Sequence, residues 1–135
     1  PAIDRTKKPS AAVDSRRVIR LVIDGGNRVT LDGKTVTMKE IRQRAAQFVE
    51  ANGKGHLIQL QTDRKASYDT YLHVQNQLVA AYNAVRNRRS SGLFGKTFDQ
   101  CSREQQDQVA SEVPIRITEV YAVGGLEKTV KGGGR

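Results

Sequence analysis

Two short apolar segments in the first third of the chain have the composition of strands. The run Val18–Ile23 is rich in β-branched residues and interrupted only by Arg20, which favours a strand. Residues 24–27, Asp-Gly-Gly-Asn, tolerate positive φ, and the apolar pattern then resumes at Val29 and Leu31. Together these segments predict a β-hairpin.

Two helices separated by a strand are predicted next. Thr37–Glu40 matches a capping box, and an apolar stripe at steps of three and four residues continues to the helix stop at 52–53. The segment His56–Thr62 predicts a central strand. Ser67 is the predicted N-cap of a second helix, with an apolar stripe of Tyr68, Tyr71, Leu72, Gln75, Leu78, Val79, Tyr82 and Val85.

The last part of the chain is less regular. Residues 86–100 are basic and contain glycine, which predicts an ordered loop. Ser102–Gln105 matches a second capping box that opens a short helix, and Pro114 prevents its continuation. The alternating residues 115–123 predict a final strand.

This order of elements, β-β-α-β-α-(α)-β, predicts the fold class. It is an α/β two-layer sandwich in which a single mixed sheet carries two main helices on one face, because right-handed β-α-β crossovers place both helices on the same side. We place the domain at residues 16–123. Residues 1–15 contain two prolines and predict a flexible linker, and the Gly- and Lys-rich residues 124–135 predict a disordered tail.

Composition narrows the class of protein further. The 135 residues are enough for one domain, and the longest apolar runs are far shorter than the ~20 residues that cross a bilayer. The single cysteine, Cys101, excludes an internal disulfide and a cysteine-based zinc site. Since the chain starts at Pro1, we expect a fragment whose targeting segment is missing.

No enzyme signature is present, so we predict no catalytic, cofactor-binding or metal-binding residue. The pair of histidines, His56 and His73, lies outside any metal-ligand spacing, and His73 is predicted to be solvated. Gly25-Gly26 precedes a strand rather than a helix and does not match a phosphate-binding loop. Cys101 at a helix start is interpreted as incidental.

The formal net charge of +9 requires an acidic partner or surface to be considered. A sheet that binds single-stranded nucleic acid offers aromatic rings for base stacking, yet the first three predicted strands contain no aromatic residue. We therefore predict no nucleic-acid partner and interpret the basic N-terminal segment as a juxtamembrane linker.

The runs VIRLVIDGGNRVTLDGKTVTMKEI and LIQLQTDRKASYDTYLHVQNQL resemble the periplasmic domain of the ExbD/TolR family of biopolymer transport proteins. The resemblance covers roughly residues 16–87, and residues 115–120 match only as a strand. Residues 88–113 form an insertion with a short helix, as in longer ExbD-like members. The segments that fit the family pattern are Val18–Asp24, Val29–Gly33, Val36–Ile41, Ile58–Arg64, Tyr68 and Val74.

The resemblance implies one subunit of a proton-driven motor in the inner membrane of a Gram-negative bacterium. Family members cross the membrane once, through a helix with a proton-carrying aspartate that is not in this chain, and sit inside an ExbB-like pentameric proton channel. Their periplasmic domains form homodimers and engage a TonB-like protein to power outer-membrane transport. The alternative is a TolR-like module that contacts TolA and peptidoglycan for envelope integrity.

We expect partner or dimer binding by strand addition, because a sheet edge offers unpaired main-chain groups. An interior position for the first strand is the alternative. A structural module that anchors to the cell wall is a rival interpretation, in which Arg86, Arg88 and Arg89 contact peptidoglycan or another anionic surface. The expected edge residues are Arg16, Arg17, Val18, Ile19, Arg20, Leu21, Ile115, Ile117 and Val120.

Overall fold

The structure is a computed structural model that describes residues 17–123 and 126–130. Side chains are described from residue 17 to residue 121. The predicted linker at 1–15 and Arg16 lie outside the described residues. In the described part, no helix has the length and apolarity needed to cross a membrane.

One mixed sheet of six strands forms the first layer. Its order is β3-β2-β1-β4-β5-β6, in which β1, β4 and β5 are parallel and the outer strands are antiparallel to their neighbours. The strands are β1 (Val18–Ile23), β2 (Val29–Leu31), β3 (Lys34–Thr35), β4 (Leu57–Asp63), β5 (Ile117–Val123) and β6 (Leu126–Val130).

The helices form the second layer, and α1 packs against α2 on one face of the sheet. Thr37 and Ser67 are the N-caps of α1 and α2, as predicted, and Ser102 caps α3. The predicted fold class is therefore confirmed. The helices are α1 (Met38–Asn52), α2 (Tyr68–Phe94) and α3 (Arg103–Glu112), with 3-10 turns at Gly53–Gly55 and Phe98–Gln100.

Alternation along the strands separates a buried face from an open one. Ile19, Leu21 and Ile23 of β1 are buried beneath the helices, whereas Arg20 between them is exposed. On the open face Arg20 Nε donates to Gln59 Oε1 of β4 at 3.2 Å. The helix-covered face holds the core, and the open face of β1 carries Arg20 between the half-buried Val18 and Val22.

The buried stripe of α2 differs from the predicted one. Tyr68, Leu72 and Val79 are exposed, by 73%, 40% and 55%, respectively. The prediction was correct for Leu78, Tyr82 and Val85 but wrong for these three, because the face that packs on the sheet and on α1 is rotated relative to the predicted stripe. The buried positions of this helix are Val74, Leu78, Ala81, Tyr82, Val85 and Ser90.

Two segments predicted as irregular are regular. Residues 86–94 are not a loop but the last part of α2, which ends at Gly95 with a left-handed φ of 69°. Residues 126–130, predicted as tail, form β6 and pair with β5. In both cases contact with another element stabilises regular structure in spite of nearby glycines. The end of α2 packs against α3, and residues 126–130 pair with the edge of β5.

Candidate partner-binding site

The strands predicted as sheet edges lie inside the sheet. The first strand, β1, pairs with β2 on one side and with β4 on the other, so the alternative interior position is confirmed. The last predicted strand, β5, pairs with β4 and with β6. Beside β1, β2 covers Leu21–Ile23 and Asp32 binds the main chain of Arg20, and beside β5, β6 covers Glu119–Val123. Within the described residues, each strand therefore keeps only its first two residues uncovered on that side, which is too little for a stable added strand.

The pairing of β1 and β5 with their neighbours shows where each residue of the predicted edges lies. Val18, Ile19, Arg20 and Leu21 are partners of residues 57–60 in β4. In β5, Ile117 pairs with Ile58, and Val120 pairs with Gln61 and Thr129. Ile115 precedes β5 and packs on the core, and Arg17 is exposed just before β1.

Two other strands have a single neighbour within the described residues, namely β3 and β6. The two-residue β3 (Lys34–Thr35) is too short to support a stable pairing. The five-residue β6 (Leu126–Val130) has the length of an ordinary strand. The edge available for strand addition is therefore the outer edge of β6.

An exposed apolar stripe of α2 lies on the same side of the domain. Tyr68, Leu72 and Val79 are spaced by four and seven residues and so share one helical stripe. The neighbouring stripe, with Tyr71 and Gln75, reaches Glu119 of β5. The exposed stripe thus flanks the β5–β6 side of the sheet, and a chain added to β6 would lie beside it.

A buried carboxylate joins α2 to β5 below this stripe. Glu119 is 7% exposed and accepts hydrogen bonds from the hydroxyls of Tyr71 at 2.6 Å and Tyr121 at 3.1 Å, and from Gln75 Nε2 at 3.1 Å. Burial, followed by the bond to Glu119, raises the pKa of Tyr71 above its ordinary value. Tyr71 therefore stays protonated and donates at physiological pH.

A cavity of about 300 Å³ opens at one end of this surface. Its walls are formed by the end of β4, the start of α2 and Tyr121 of β5, and include Asp63, Arg64, Tyr68 and Tyr71. Ends of parallel strands are common ligand positions in α/β sheets. Here the cavity extends the apolar stripe and could receive a side chain of a bound partner.

The three arginines predicted to contact an anionic surface are engaged within the domain. Arg88 forms a bidentate pair with Glu50, with Nη2 to Oε1 at 2.8 Å, and Arg89 Nε donates to Glu112 at 2.6 Å. The bond from Arg89 lowers the pKa of the Glu112 carboxyl. Arg86 donates to the carbonyl of Val113 at 3.0 Å, and burial lowers its pKa.

Sequence reasoning missed the most deeply buried polar contact. His56 is fully buried, and its Nδ1 donates to the carbonyl of Gly53 at 2.6 Å. With that proton on Nδ1, Nε2 accepts from the hydroxyl of Tyr82, and this hydroxyl accepts the Arg116 N–H at 3.2 Å. The apolar neighbours of His56 in HLIQL were the available signal for burial.

The remaining candidate residues show no arrangement for chemistry. His73 is exposed, as predicted, with Nδ1 3.7 Å from Asp69. Cys101 is a buried free thiol. Within residues 17–121, no group of three His, Cys, Asp or Glu side chains is placed to hold a metal ion.

Comparison with known families decides the identity. The family model described as Biopolymer transport protein ExbD/TolR matches residues 2–88, which is 87 of the 135 residues. The chain belongs to the ExbD/TolR family. A search among curated proteins found no significant match.

Membership in the ExbD/TolR family confirms the resemblance and gives the chain a general role in energy-coupled biopolymer transport. The family implies partners of the ExbB/TolQ and TonB/TolA types in general, and its members are typically anchored in the inner membrane with a periplasmic domain. The matched part ends at residue 88, so the end of α2, α3, β5 and β6 lie beyond it.

Proposed function

We propose that this chain is the periplasmic domain of an ExbD-like subunit of a proton-driven ExbB–ExbD–TonB complex. In this role the domain dimerises and engages a TonB-like protein, while an N-terminal membrane helix sits in an ExbB-like pentamer. The alternative is a TolR-like module that works with TolA and peptidoglycan.

The observation that carries the proposal is the free edge of β6 beside the exposed α2 stripe. Main-chain groups of β6 offer affinity to an added strand, and Tyr68, Leu72 and Val79 offer apolar contacts for its side chains. An edge with such a stripe suits an extended segment of a partner protein. We therefore propose the edge of β6 as the binding edge, in place of the β1 and β5 edges that were expected from the sequence.

Site-specific photo-crosslinking in cells tests the proposal. A photoreactive amino acid is placed at Thr129 of β6 in the full-length subunit, with Thr35 of β3 as a matched control at the opposite edge. We expect adducts with a TonB-like protein, or with a second copy, from Thr129 and not from Thr35. Adducts with a TolA-like protein would favour the alternative, and partner adducts from Thr35 alone would overturn the proposed edge.

A further inference from the structure

Two arginine side chains from distant parts of the sequence meet at one turn that itself contains a lysine. The turn is Gly53–Gly55, between α1 and β4, and it contains Lys54. Arg116 Nη1 donates to the carbonyl of Lys54 at 2.8 Å. Arg17 lies against Gly55, where an added Cβ would be only 2.7 Å from its Nη1. We name Arg17, Lys54 and Arg116 the turn cluster.

The turn cluster is exposed and carries an excess of positive charge. All three residues are exposed, and none of them forms an ion pair with a carboxylate within residues 17–121. Lys54 contributes to the lowered pKa of Glu112, so this carboxylate is near, but Glu112 is bonded to Arg89. Because Glu112 is already paired, the three residues carry an excess of positive charge within residues 17–121.

The placement of the two arginines at this turn has two structural causes. One cause is the hydrogen bond from Arg116 to the turn, and the other is the absence of a side chain at Gly55, which admits the Arg17 guanidinium. Two guanidiniums and an ammonium around one turn match the donors that bind phosphate oxygens. We infer that the turn cluster binds the phosphate groups of an anionic lipid surface.

The position of the cluster in the fold supports a lipid surface as the source of phosphate. Arg17 precedes β1, Lys54 precedes β4 and Arg116 precedes β5, so all three lie at the amino ends of the parallel strands. Arg17, the first described residue, lies at this same end, and residues 1–16 precede it in the sequence. In the proposed function that segment leads to the membrane helix, which brings this end of the sheet toward the bilayer.

This geometry separates the cluster from the proposed partner edge. The cluster lies at the ends of strands, whereas the free edge of β6 runs along the side of the sheet. Lipid contact at the turn therefore leaves the β6 edge accessible. The inference rests on the proposed function only for the choice of lipid as the phosphate source.

Vesicle flotation with the 135-residue chain provides the test. Vesicles contain phosphatidylcholine with about one third phosphatidylglycerol, or phosphatidylcholine alone, at about 0.05 M salt. The test variant carries Arg17→Gln, Lys54→Gln and Arg116→Gln. The matched control carries Lys34→Gln, Arg42→Gln and Arg64→Gln, which removes the same charge from exposed positions elsewhere.

We expect binding to the anionic vesicles only, with a loss of more than tenfold in the test variant, since each basic residue near such a surface contributes about fivefold. The control should lose less than threefold. An equal loss in both variants would assign binding to net charge and overturn the inference, as would the absence of binding to anionic vesicles.

A third variant, Gly55→Ala, keeps every charge and displaces only Arg17. Gly55 does not have positive φ, so alanine fits the backbone, while its Cβ would push the guanidinium away. We expect binding to weaken two- to fivefold with unchanged circular dichroism. Inorganic phosphate that shifts the Gly55 amide signal without any vesicle binding would show a free-phosphate site instead of a lipid one. Because no partner protein is present, a failure here leaves the crosslinking result unaffected.

Discussion

The hydroxyl of Tyr82 holds three separate parts of the fold together, and its removal is the sharpest test of the structure. It donates to Nε2 of buried His56, which precedes β4, and accepts the N–H of Arg116, which precedes β5. Tyr82 itself lies on α2 and is 2% exposed. Burial raises its pKa to about 12, so the hydroxyl keeps its proton at physiological pH.

The variant Tyr82→Phe keeps the ring and removes only this oxygen. His56 Nε2 then remains a buried acceptor without a donor, which costs about 1–3 kcal/mol. The Arg116 N–H also loses its acceptor, at about 0.5–1 kcal/mol, because Arg116 is exposed and water can replace the bond. We expect the free energy of unfolding to fall by about 1.5–4 kcal/mol.

Urea unfolding followed by far-UV circular dichroism at pH 7.5 measures this change. Tyr68→Phe is the matched control, because Tyr68 is 73% exposed and lies on the same helix. The control should change the free energy of unfolding by less than about 0.5 kcal/mol. If Tyr82→Phe were as stable as the control, the hydrogen-bond assignment around His56 would be refuted.

Two further predictions concern acid stability and the end of α2. Burial and then nearby Arg116 lower the pKa of His56 below 6.5, despite the opposing bond to Gly53, so the unfolded chain takes up a proton before the folded one does. The contribution of neutral His56 to the free energy of unfolding is therefore fully present above about pH 6.5. Below that pH the free energy of unfolding falls by up to about 1.4 kcal/mol per pH unit. Unfolding curves of the His56→Gln variant should lack this pH dependence, whereas those of the His73→Gln variant should retain it. Gly92 is exposed within α2 and has open space at its Cβ position, so Gly92→Ala should raise the free energy of unfolding by about 0.5–1 kcal/mol. Gly95→Ala should lower the free energy of unfolding by about 1 kcal/mol because Gly95 has positive φ. Thermal melts in which both substitutions changed the stability in the same direction would contradict the helix end at residue 95.

The local sequence was sufficient to predict the helix caps and the order of the main elements along the chain. Thr37, Ser67 and Ser102 act within three residues of their own position, so no distant contact is needed to recognise them. The β-branched run at 18–23 also carries its own strand preference. The family resemblance depended on the same order and spacing.

Only the tertiary structure decided which residues meet. In the sequence Glu119 lies within a predicted strand and His56 at the start of one, and their partners lie 48 and 26 positions away on α2. Similarly, Arg88 and Arg89 form a basic run in the sequence, yet Glu50 and Glu112 neutralise them in the fold. Charge and hydrogen bonding act through space, so the sequence neighbours of these residues carried no signal for their partners.

The sheet edges show the same distinction. Residues 18–23 and 117–123 were correctly predicted as strands, because alternation and β-branching are properties of each segment alone. Whether a strand lies inside the sheet or at its edge depends on which other segments pair with it. β5 lies inside the sheet because β6 pairs with it, although the β6 segment has glycines on both sides in the sequence. The sequence by itself therefore determined most of the elements and the family, while contacts between distant segments determined the last part of α2, strand β6 and its free edge, the exposed α2 stripe and the turn cluster.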